Sequence, residues 1–134
     1  DDPVPVAERP HVRSLLRADD PVEVLAGLAA VSVDINARTA PIFRILVSAA
    51  DSDPEASALL DELTRQRQEG QGRLATSLAR VGALRPGLRP RDAADIIHAL
   101  ASPEVYRLLV IDRQWPSGRY ERWLTDALAN QLLP

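Results

Sequence analysis

From Asp20 to the carboxyl end, apolar residues recur every three or four positions, the period of helices with one face turned to a core. Asp20-Pro21-Val22-Glu23 is a helix start: Asp20 can cap, Pro21 suits the first helical position and Glu23 completes a capping-box pattern. The helix should run to about Arg38, with Leu25, Leu28, Ala29, Ser32 and Asn36 on one face. Pro41 is expected to open a second helix, to about Ala50, apolar on two sides through Phe43, Leu46 and Val47 on one and Ile42, Ile45 and Ala49 on the other. Asp53-Pro54-Glu55 starts a third. Its stripe runs through Leu60, Leu63, Leu74 and Leu78 to Gly82, a left-handed stop. At 1.5 Å per residue it measures roughly 42 Å and should span the domain.

Leu84 to Pro90 is a turn by composition, and a helix over about Arg91–Ala101 follows. Ser102-Pro103-Glu104 restarts it as far as Arg113. Val105, Leu108, Leu109, Val110 and Ile111 then point around the whole axis, so this piece must be covered on more than one side. Trp115-Pro116-Ser117-Gly118 breaks the chain again. Ser117 can cap a last helix, to about Leu132, with Tyr120, Trp123, Leu124, Ala127 and Leu128 as its stripe. Ahead of all this, Pro3, Pro5 and Pro10 make residues 1–19 read as an extended linker with a short helical turn near Pro10–Arg17.

Composition narrows the picture to an all-α domain. Ala and Leu fill more than a quarter of the 134 residues, every basic residue is Arg, and aromatics are only 4%, so strand formers are scarce. At 46% hydrophobic the chain can build one sizeable core. A net charge of −3 argues against this stretch gripping nucleic acid itself. With no Cys, thiolate metal sites and disulfides are excluded. No signal peptide or membrane span is evident, and the expected location is cytoplasmic.

Enzyme motifs do not emerge. There is no G-x-S-x-G elbow, glycine-rich phosphate loop or H-E-x-x-H. Asp95-x-x-His98 is the only near match to a helical metal-carboxylate pair and has no second copy. No catalytic residue, metal or cofactor is therefore expected.

The order of elements resembles a known family. A long DP-capped helix ends in GALRPGL. It is followed by AADIIHALASPEVYRLLVIDRQW and a final RYERWLTDAL helix. Together these resemble the C-terminal effector-binding and dimerisation domain of TetR-type bacterial transcriptional regulators. The stretch from Ser102 to Trp115 is the most specific part. The resemblance implies about six helices, a homodimer joined by a four-helix bundle, and a pocket for a small, mostly apolar effector among the middle helices. It also implies operator DNA as a partner only through an N-terminal helix-turn-helix domain that is not in this chain. Residues 1–19 would be the connection to that domain, and residues 20–134 the ligand-binding and dimerisation unit. A repressor is the expected mode; a stand-alone helical dimerisation module without ligand is the alternative.

A dimer can also be argued from the residues. The last two helices are neighbours with bulky apolar faces, and Trp115, Tyr120 and Trp123 are three of the five aromatics. Val105, Leu109, Trp115, Tyr120, Trp123, Leu124 and Leu128 are the expected interface, unless they close the core of a single subunit.

For the ligand, the informative residues are polar ones on apolar stripes, because a buried polar group needs a partner. Arg67 falls among Leu60, Leu63, Leu74 and Leu78, and could grip an anionic or carbonyl-bearing molecule. An internal ion pair, or a packed stem with its head in water, would account for it as well. Gln71 lies at the edge of the same stripe, between Gly70 and Gly72, which suggest a close neighbour, a kink or room for a ligand. Ser32 and Asn36 could present a hydroxyl and an amide, and Phe43 a wall. His98 sits at the edge of its helix, where Asp95 could pair with it.

Overall fold

The computed structural model describes residues 20–134, so the expected linker and short helix lie outside the described residues. The described chain is helical, with no strand among its residues. We name its elements α1 (Pro21–Ala49), α2 (Pro54–Arg80), α3 (Pro90–Leu100), α4 (Pro103–Tyr106) and α5 (Ser117–Leu132), with a π-helical turn over Arg107–Asp112 continuing α4.

The start signals act as their chemistry dictates. Asp20 accepts from the Val22 N–H at 3.0 Å, Asp53 from the Glu55 N–H at 3.0 Å, and Ser102 from the Val105 N–H at 3.1 Å. Gly82 ends α2 at φ 67°, with the Ala83 N–H reaching back to the Leu78 carbonyl and the Gly82 N–H to Ala79. That left-handed conformation is one glycine adopts without a Cβ clash. Ser117 differs from expectation: it is the first residue of α5 rather than its cap, and Pro116 precedes it without a side-chain cap.

Two predicted helices are one. Pro41 lies inside α1, which runs unbroken for 29 residues. The proline removes its own N–H, leaving the Ala37 carbonyl without its helical partner, and its ring crowds that carbonyl. No glycine or turn residue stands between Arg38 and Pro41 to break the chain there. The segment beyond Pro41 is not buried on two sides either. Only Leu46 is buried there, while Ile42, Ile45 and Val47 are exposed, because no other helix among the described residues covers that end. Among the described residues the result is four long helices and one short one, where the sequence led to an expectation of six.

α1 packs on α5 and α2, α2 on α3, and α3 on α5. The core joins Leu25 and Ala29 of α1, Leu74, Ala75 and Leu78 of α2, Ala93 and Ile97 of α3, and Tyr120, Leu124, Leu128 and Leu132 of α5. Small alanines at the crossings let the backbones approach. Burying the larger of these side chains stabilises the fold by about 1.5–3 kcal/mol each.

The carboxyl end of α5 is anchored by a residue that reads as part of a solvated loop. The Arg85 N–H donates to the Leu132 carbonyl, and its guanidinium donates to the Asn130 carbonyl. A cation at the negative end of a helix dipole is favourable.

Candidate functional site

Asn36 is the centre of the polar arrangement. It lies on the buried face of α1, one turn after Ser32, which is also buried. Its Nδ2 donates to the carbonyl of Ala101 at 3.2 Å, at the end of α3. Its Oδ1 accepts from Nη2 of Arg67 at 2.7 Å. The two bonds fix the amide's orientation, since an NH2 facing the guanidinium would set donor against donor. Asn36 thereby ties α1 to α2 and to the α3–α4 junction.

Arg67 is half-buried. Its surroundings withdraw water, and this desolvation holds its pKa below the usual guanidinium value; the fields of Glu104 and Tyr120 oppose the shift. It remains a cation, as guanidinium does in proteins. Among the described residues no carboxylate pairs with it, whereas Arg38, Arg65, Arg89 and Arg107 all hold exposed ion pairs. Of the three readings the sequence left open for Arg67, an internal ion pair is thus not what the described residues show.

One turn along α2, Gln71 is buried, and its Oε1 lies 2.9 Å from Nδ1 of His98 on α3. This is the arrangement of an Nδ1–H donating to an amide oxygen. His98 therefore takes Gln71 as partner, not the expected Asp95, which is exposed. Gly70 and Gly72 do not mark a close neighbour, for a Cβ added at either would meet nothing within 4 Å. Phe43 is half-buried in the segment past Pro41.

Five of the six expected ligand residues thus lie on facing stretches of α1, α2 and α3, four of them in two hydrogen-bonded pairs. The spacing could not reveal the groups that complete the neighbourhood: the Ala101 carbonyl, Glu104 and Tyr120. Ala101 is 65 residues from Asn36. Tyr120 is wholly buried, its ring edge-on to Tyr106 with centroids 5.5 Å apart, and its hydroxyl lies 3.5 Å from the Leu100 carbonyl. Burial pushes its pKa up to about 12, with the Arg67 charge pulling the other way.

The expected interface residues divide. Tyr120, Leu124 and Leu128 are fully buried within one chain, so they cannot meet a second copy, and we reassign them to the core. The inner side of the α5 stripe is covered by α1 and α3 of the same chain. Val105, Leu109, Trp115 and Trp123 are half-exposed, and beside them Leu108 and Ile111 are 48% and 44% exposed. The π-helical turn is apolar on more than one side, and this chain covers only part of it. Aromatic rings run outward from the core to this surface: Tyr120 against Trp123, and Trp123 edge-on to Trp115, with the Arg119 guanidinium 3.9 Å over the Trp115 ring.

Two surface recesses lie elsewhere. One is bordered by Pro41, Arg44, Ile45, Ser48 and Ala49 of α1. The other, between α3 and α5, is bordered by Ile96, Ala99, Leu100, Ala127, Asn130 and Gln131. Neither touches Asn36 or Arg67. Among the described residues no group of His, Cys, Asp and Glu is placed to hold a metal ion, and no helix is long and apolar enough to cross a membrane. No family model, curated protein or solved structure matches the chain.

Proposed function

We propose that residues 20–134 are the effector-binding and dimerisation domain of a TetR-type transcriptional regulator, with operator DNA read by a helix-turn-helix domain outside this chain. The carrying observation is the convergence of Asn36, Arg67, Gln71 and His98 on the packed middle of the bundle, in hydrogen-bonded pairs that bridge α1, α2 and α3. Polar bridges between helices give a ligand a means of favouring one helix arrangement over another, since it need only compete for one of these bonds.

The dimer is proposed through the outer face of the α4–π turn and α5, with Val105, Leu108, Leu109, Trp115 and Trp123, and without the buried Tyr120, Leu124 and Leu128. Apolar aromatic surface of this kind suits an interface core. In this scheme the dimer sets the spacing of two DNA-reading heads, which must match the operator half-sites. The effector changes that spacing only through its unequal affinity for the two arrangements.

A second reading has an observation of its own. Both recesses noted above are open grooves away from the polar pairs, as a ligand-free helical dimerisation module would have them. One experiment separates the two. A thermal-shift screen over chemically varied small molecules should raise the melting temperature for a subset of them, because a ligand bound to the native state stabilises it. Dimers in sedimentation with no compound shifting the melt would favour the plain module. Monomers at high concentration would remove both readings.

A further inference from the structure

Arg67 carries a charge that the described residues leave unanswered, in a place where charge is costly. A guanidinium has five N–H donors. One Nη2 hydrogen goes to Asn36, and among the described residues no other acceptor is bonded to Arg67. Among the described residues no fully buried side-chain nitrogen lacks a partner, so neither Nε nor Nη1 is enclosed in the core without one. Whichever Nη2 hydrogen Asn36 takes, the other lies beside either Nε–H or Nη1–H. One two-pronged edge of the guanidinium is therefore left without a partner among the described residues, and such an edge fits the two oxygens of a carboxylate. Gly70, one turn on, has open space where a Cβ would stand. Leu60 and Leu63, half-buried, continue the same face of α2 in the other direction.

We propose that the effector is an apolar carboxylate, a small molecule with one carboxylate on a hydrocarbon body, held two-pronged by Arg67 while Asn36 fixes the guanidinium. The proposal rests on the effector reading above and names its chemical class. A single charge fits better than a phosphate's, because among the described residues Arg67 is the cation at the site and the field of Glu104 opposes further negative charge there. The hydrocarbon body follows from Leu60 and Leu63 beside the charge.

The test uses four probes of equal chain length: octanoate, octan-1-ol, octylammonium and octyl phosphate, read by thermal shift and calorimetry. Octanoate should bind and raise the melting temperature most. Arg67→Gln should weaken octanoate about tenfold or more, as the loss of a charged hydrogen-bond pair would. The glutamine amide can still donate to Asn36, so the core stays satisfied; Arg67→Lys, keeping charge without the fork, should fall between. Equal binding of octan-1-ol or octylammonium, tighter binding of octyl phosphate, or an unchanged octanoate affinity in Arg67→Gln would overturn the carboxylate. If the broader screen finds ligands and octanoate is not among those bound, the carboxylate fails while the effector reading stands. If nothing binds, both fail.

Discussion

Arg67 Nη2 and Asn36 Oδ1 meet at 2.7 Å, and the same amide holds the Ala101 carbonyl at 3.2 Å with its nitrogen. Asn36 has no exposed surface, so it makes these bonds away from competing water. One side chain thus connects three helices that are distant in sequence. A shift of α2 against α1 must stretch this connection or break it.

Asn36→Ala removes both bonds at once. It leaves a buried carbonyl and a partly buried cation unanswered, and a small void behind them. The expected loss of stability is about 2–4 kcal/mol. Urea unfolding followed by the fluorescence of Trp115 and Trp123 measures it. A loss well under 1 kcal/mol would mean that the polar bridge does not hold the helices.

Trp123 and Leu124 are adjacent in sequence and opposite in placement: the tryptophan is half-exposed and the leucine fully buried. Trp123→Asp should leave the subunit helical and shift gel filtration from dimer to monomer. Leu124→Asp should instead unfold the chain, since it forces a charge into the core, and far-UV circular dichroism would show the loss. A dimer unchanged in Trp123→Asp would move the interface elsewhere.

The sequence exposed the buried polar residues more clearly than the cover of the apolar ones, for a physical reason. A polar residue on an apolar stripe stands out whatever covers the stripe, and so Asn36, Arg67, Gln71 and His98 were all legible. An apolar stripe says only that something must cover it. For Tyr120, Leu124 and Leu128 the cover is α1 and α3 of the same chain; for Leu108 and Ile111 this chain supplies about half of it. The partners of the polar groups were illegible because a backbone carbonyl, such as that of Ala101, leaves no mark in a sequence pattern.

Pro41 shows how a local rule can be outweighed. Proline most often begins a helix, yet here the helix passes through it. Continuing costs one hydrogen bond, while stopping needs a turn that the residues before Pro41 do not provide. Pro41→Ala should therefore restore the bond to the Ala37 carbonyl and stabilise the protein by about 1–3 kcal/mol. A rise in melting temperature is the expected result. A fall would show that the proline ring itself contributes to the packing of α1 on its neighbours.

Tyr120 makes a prediction at alkaline pH. Its pKa is about 12 in the folded chain and near the ordinary phenol value of 10 when unfolded. Below pH 10 the phenol is neutral in both states, and its contribution to stability is fully present. Between pH 10 and 12 the unfolded chain ionises while the folded one resists, so stability falls as pH rises. A shift of this size amounts to roughly 2–3 kcal/mol once the pH reaches the folded value. Tyr120→Phe cannot ionise and should lose that part of the decline. Its cost at neutral pH should be small, because the hydroxyl lies 3.5 Å from its acceptor, Leu100 O. Urea midpoints measured from pH 8 to 12 for both proteins give the comparison. Identical slopes would place the Tyr120 hydroxyl in water instead of in the core beside Arg67.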